Sequence, residues 1–114
     1  MIERLIPTPL MHRAVAHDSL LFLGGVTAAD KSQDIAGQTR QVLATIKERL
    51  REAGSDSSRV LSATIFLVDI DEKDALNAVW KEWFPAEHLP ARTAVGVNSL
   101  GKDARVEITV TAAR

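Results

Sequence analysis

Two segments of this chain carry helical periodicity and six read as extended, and that imbalance limits how the chain can bury its apolar surface. Residues 34–53, DIAGQTRQVLATIKERLREA, place Ile35, Thr39, Val42, Leu43, Ile46 and Leu50 on one apolar stripe. Asp34 can cap this helix, and Gly54 stands where a left-handed residue ends one. Its outer face alternates Arg40, Lys47, Glu48, Arg49, Arg51 and Glu52, the pattern of a solvated face and not of a nucleic-acid stripe. A second helix is predicted from Glu72 to Trp83, with Asp71 as its cap and Ile70 packing on Ala75 as a hydrophobic staple. Leu76, Val79, Trp80 and Trp83 supply its apolar stripe, which makes the tryptophans core or interface anchors.

Residues 2–6, 13–16, 19–24, 61–70, 92–97 and 105–112 read as strands, so the element order is β-β-β-α-β-α-β-β. The link from Leu23 through the first helix to Ser62 is long enough for a right-handed crossover between parallel strands. Two helices cover one face of such a sheet. The other face should turn polar in a monomer, yet LLFL and TIFLV are apolar at both parities. With no helix left, the simplest cover is another copy of the same sheet, and an oligomer is expected.

The chain has one domain's length, residues 1–114. A formal net charge of -1 gives no broad attraction to nucleic acid or anionic lipid, so neither is expected as a partner. The absence of cysteine excludes disulfides and thiolate chemistry. Pro7 and Pro9 break up the first residues, MIERLIPTPLM, and no apolar run approaches bilayer-spanning length; a cytoplasmic protein without membrane contact is expected. His12, His17 and His88 show no helical pairing that would suggest zinc, Gly24-Gly25 lacks the rest of a phosphate-binding loop, and no Gly-x-Ser-x-Gly occurs. The two glycines mark a tight strand exit whose bare amides can approach a ligand.

Two charged residues remain within strands. In RVEITVTA, Val106, Ile108 and Val110 share the face toward the helices, and Glu107 shares the other with Thr109 and Thr111. A carboxylate on a face covered by a second copy needs a cation or a proton. Arg92, at the mouth of LPARTAVGV, is a candidate partner, since only NSLGKDA separates the two strands. The pair is either a structural ion pair at an interface or a guanidinium fork for a substrate carboxylate with a carboxylate beside it to handle protons.

GGV, the first helix with Gln38-Thr39, ALNAVWKEWF, LPARTAVGV and RVEITVTA, in uninterrupted order, resemble the RidA (YjgF) family of enamine/imine deaminases over nearly the whole chain. The resemblance implies an α+β, chorismate-mutase-like sheet with two helices on one face, assembled as a homotrimer with clefts between subunits. It implies that Arg92 grips a substrate carboxylate and Glu107 holds a water near the imine carbon. The backbone around Gly25 and Ala94 would line the cleft, with Asn77 of the second helix and Met11 beside it. Met11 (or His12), Gly24 and Ala94 stand where the family commonly has tyrosine, serine and cysteine. The implied reaction is hydrolysis of a 2-imino acid, such as 2-iminopropanoate or 2-iminobutanoate, or its enamine tautomer, to a 2-keto acid and ammonia without cofactor or metal. The alternative is a small-ligand-binding or regulatory trimer using the same cleft without turnover; ribonuclease activity, attached to relatives, has less support for want of a basic stripe or a histidine pair. Met11, Leu89 and Ala94 as apolar walls, with no further cation, would favour small aliphatic imino acids.

Overall fold

A computed structural model describes residues 1–114. Its strands are β1 (Ile2–Pro7), β2 (His12–His17), β3 (Leu20–Leu23), β4 (Val60–Leu67), β5 (Ala91–Gly96) and β6 (Val106–Ala113); its helices are α1 (Ile35–Glu52) and α2 (Lys73–Trp83). The predicted order holds. The six strands form one mixed sheet in the spatial order β1-β2-β3-β6-β4-β5. β4 and β5, joined through α2, are the one parallel pair, and all other neighbours are antiparallel. β3 and β4 do run parallel, as the crossover through α1 requires, but β6 lies hydrogen-bonded between them.

Local chemistry sets the helix boundaries. The Asp34 side chain accepts from Gly37 N at 2.8 Å and starts α1. At the other end Gly54 takes φ +85°, and Ser55 N donates to Leu50 O and Gly54 N to Arg51 O, the double bond of a Schellman stop. All six expected stripe residues of α1 are buried. The start of α2 differs from expectation. Asp69, not Asp71, supplies the capping carboxylate, accepting from Asp71 N at 3.0 Å, because a 3₁₀ turn over Ile70–Glu72 precedes the helix. Glu72 then begins α2 without a side-chain cap, and Ile70 and Ala75 are both exposed, Ile70 lying beside Gly96.

Both helices pack on the same face of the sheet. There Ala63, Ile65 and Leu67 of β4 and Val106, Ile108 and Val110 of β6 meet Val42, Ile46, Leu76, Val79 and Trp80 in one apolar core. The alternation of β6 is complete, with every second residue buried and Glu107, Thr109 and Thr111 turned to the opposite face. That opposite face has no layer over it. Register puts Glu107, Phe66 and Val95 in one row across β6, β4 and β5. Val95 remains 39% exposed in that row, and Phe22, 46% exposed, lies in another row with Arg4, Val15 and Thr111. The uncovered face expected from the sequence is therefore present, with Arg4 and Arg13 on its β1–β2 side.

One polar group is sunk into the core side. Gln38 is fully buried, and its amide nitrogen donates to the carbonyls of Lys31, Gln33 and Asp103 while its oxygen accepts from Arg105 N at 2.9 Å. It ties the β3–α1 loop to the β5–β6 loop from within α1.

Candidate functional site

The sheet's register decides where the two strand charges go. Arg92 on β5 pairs with Ala63 of β4, whose side chain is buried toward the helices, and Glu107 on β6 pairs with Phe66, on the open face. Side chains three positions apart on one strand point to opposite faces. Arg92 and Glu107 of one chain therefore extend from opposite faces of the sheet, with β4 between their strands. The direct pairing expected from the short connection between them does not occur, because β6 returns past β5 to insert beside β4. Neither side chain has an ion-pair partner within the chain.

Each charge sits in its own setting. Arg92 emerges from the edge strand with its guanidinium carbon 5.2 Å from the centre of the Trp80 ring, which buries its own indole against Phe84. Stacking on an indole holds a guanidinium in plane and is worth about 0.5–1 kcal/mol at such a half-exposed site. The sequence pattern marked Trp80 as an anchor but not as the platform for Arg92. Around it Asn77, Trp80, Lys81, Leu89 and Pro90 line an open depression of about 340 Å³. Asn77 Oδ1 is buried there without any hydrogen-bond partner, an acceptor left for a donor that this chain does not provide. Ala94, two residues on from Arg92, shares its face and packs on the core.

Glu107 lies at an irregularity of the sheet. Between the pairs Phe22–Thr111 and Val26–Ile108, the β3 side advances four residues and the β6 side three, so one extra residue is accommodated at Gly24-Gly25. This is a β-bulge, which re-aims a strand and recurs beside active sites. It brings Gly25 under the Glu107 carboxylate so closely that a Cβ on Gly25 would strike Oε2 and lie within 3.0 Å of Cδ. A Cβ on Gly24 would lie 3.5 Å from Met11 Sδ. The expected tight strand exit is thus a bulge, and it gathers Met11, Gly24, Gly25 and Glu107.

A third feature runs against expectation. Met11, Gly24 and Gly25 also line a depression of about 360 Å³ that contains Arg13 of β2, Lys31 of the β3–α1 loop and Arg49 of α1. The expectation of apolar walls with no further cation does not hold on this side. Burial, and then the charge of Arg13, push the Arg49 guanidinium below the usual arginine value. These three residues lie too far apart in sequence for any local pattern to announce their convergence. The histidines take no part: His12 and His17 are exposed on β2 and His88 closes a 3₁₀ turn, and no group of three or more His, Asp or Glu side chains stands together to hold a metal ion.

Comparison with known proteins agrees with the fold. The family model described as Endoribonuclease L-PSP matches residues 2–114. The chain is 38% identical over 101 residues to the 3-aminoacrylate deaminase RutC of Acinetobacter baylyi, covering 83% of this chain and 79% of that one. It is 36% identical over 99 residues to the RutC family protein YoaB of Escherichia coli, covering 87% and 86%. Its structure superposes on a member of the YjgF protein family from Neisseria meningitidis with a TM-score of 0.93 at 36% identity, covering 100% of this chain and 95% of the other. With this match over nearly its full length, the chain belongs to the RidA/YjgF family.

Proposed function

We propose that the protein hydrolyses reactive 2-imino acids and their enamine tautomers to 2-keto acids and ammonia, in a cleft made between two copies of the chain. The observation that carries this reading is the division of the site. Arg92 is an unpaired guanidinium at a sheet edge beside the unsatisfied Asn77 Oδ1, and Glu107 is an unpaired carboxylate seated on Gly25 on the uncovered face. One substrate reaches both charges when the edge of one copy meets the open face of the next, which also covers Phe22, Phe66 and Val95. A closed ring of three copies satisfies this head-to-tail arrangement without leaving an end. The name of the Acinetobacter relative, a deaminase of an enamine, supports the reaction class.

The chemistry follows from the groups. Arg92 binds the substrate carboxylate through two parallel N–H donors and so fixes the neighbouring C=N carbon. A protonated imine is already electrophilic, so the protein need not provide an activated serine or cysteine. Glu107 accepts a proton from a water as its oxygen bonds to that carbon and returns it to nitrogen; as the C–N bond breaks, the hydroxyl proton passes through Glu107 to the departing ammonia and leaves the C=O. The products are the keto acid and ammonium. Asn77 Oδ1, the unmet acceptor beside Arg92, is available to an N–H of the substrate's protonated imine.

The test generates 2-iminobutanoate or 2-iminopropanoate in solution and follows ammonia release with catalytic amounts of protein. Saturable acceleration is expected. Arg92→Lys, which keeps the charge and loses the fork, should cost about tenfold or more in kcat/KM, or about 1.4 kcal/mol of transition-state binding. Saturable binding of the keto acid without acceleration would instead favour a ligand-binding trimer.

A further inference from the structure

The depression beside the Gly24-Gly25 bulge holds more positive charge than a small aliphatic imino acid can use. Arg13, Lys31 and Arg49 all line it, and none has a carboxylate within ion-pair distance. Elsewhere Arg40, Arg51, Arg105 and Arg114 pair with Glu82, Glu48, Glu72 and Glu3, while Arg13, Lys31 and Arg49 converge on one depression without such a partner. Lys31 and Arg49 are half-buried and Arg13 is exposed, and Lys31 Nζ is held by the Ala28 carbonyl at 2.8 Å. Keeping unpaired like charges together at a partly desolvated site is unfavourable until an anion joins them. Burial and Arg13 lower the Arg49 guanidinium in the same sense, and the charge of Glu52 offsets them only in part. The space, about 360 Å³, suits a small organic anion.

Gly25 connects this depression to the candidate reaction centre, since it lines the depression and also underlies the Glu107 carboxylate. We propose that the preferred substrate is a dicarboxylic 2-imino acid whose side-chain carboxylate enters this depression and is held by Arg13, Lys31 and Arg49. The proposal rests on the deaminase reading and adds the substrate's side chain to it. Arg92 of the neighbouring copy takes the carboxylate next to the imine, Glu107 serves the imine carbon, and the three cations take the far end. The reaction that supplies such a substrate is an oxidation or elimination that leaves a C=N bond on an acidic amino-acid skeleton.

The experiment compares 2-iminosuccinate and 2-iminoglutarate with 2-iminobutanoate, each generated in solution, for the intact protein and for Arg49→Met and Arg13→Gln. In parallel, 2-oxoglutarate and 2-oxobutanoate are titrated calorimetrically. The acidic imines should be favoured at least about tenfold in kcat/KM, and that ratio should fall toward one in the variants. The same preference and the same loss are expected in binding of the two keto acids. Turnover that is equal for both classes, or better for 2-iminobutanoate, overturns the proposal and leaves the deaminase reading intact. No acceleration of any imine refutes the deaminase reading; the titration then decides separately. Tighter 2-oxoglutarate binding that Arg49→Met abolishes keeps the anion site, and equal binding of the two keto acids removes it.

Discussion

Glu107 sets its carboxylate directly against the face of Gly25 where any other residue would carry a side chain. The bulge makes this contact possible, because the extra residue on the β3 side turns the backbone toward β6. Gly25 has no positive φ, so alanine there is restricted by space and not by backbone strain. Gly25→Ala is expected to displace the Glu107 carboxylate and lower turnover by about tenfold or more, since small misplacements of a reacting group are costly. The thermal midpoint should change little. Steady-state kinetics with a parallel melting curve checks both, and unchanged turnover would detach Glu107 from the chemistry.

Gln38 has a purely structural task. Replacing it with leucine leaves three carbonyls and one amide without their partner at a buried position. The expected loss is about 3 kcal/mol in urea unfolding, because buried groups left unsatisfied cost more than a hydrogen bond contributes. Loss of order should concentrate in the β3–α1 and β5–β6 loops, where hydrogen exchange would rise first.

The open face should be an interface. Phe22, 46% exposed on β3, lies on the side that no helix covers. Phe22→Lys places a further charge on that face and is expected to yield monomers in light scattering, whereas the unaltered chain is expected to sediment as a trimer at micromolar concentration. Because Phe22 does not belong to the helix-side core, the variant should keep its circular dichroism.

Much of the fold is legible from local patterns. The stripe of α1, the caps at Asp34 and Gly54 and the alternation of β6 depend on neighbours within a few residues, and each is where periodicity places it. The start of α2 is displaced because Asp69 competes with Asp71 for the same turn and wins by capping a 3₁₀ segment. The order of strands is set by non-local pairing, and no local pattern shows β6 inserting between β3 and β4. That insertion separates Arg92 from Glu107 even though a short connection joins their strands. The identities of these two residues stand out as charges within strands; their faces depend on register. The bulge at Gly24-Gly25 and the meeting of Arg13, Lys31 and Arg49 arise from tertiary geometry alone.

The proposed division of the site between copies has the most direct test. Arg92→Ala and Glu107→Gln each remove one half and should each lose nearly all imine hydrolysis while still assembling. If the two inactive variants are unfolded together in equal amounts and refolded, about one quarter of the clefts receive Arg92 from one copy and Glu107 from the next. Ammonia release from 2-iminobutanoate is predicted to return to about that fraction of the unaltered protein's rate. If the mixture forms trimers and stays as inactive as its components, the two residues do not meet in a shared cleft and the account of the site is wrong.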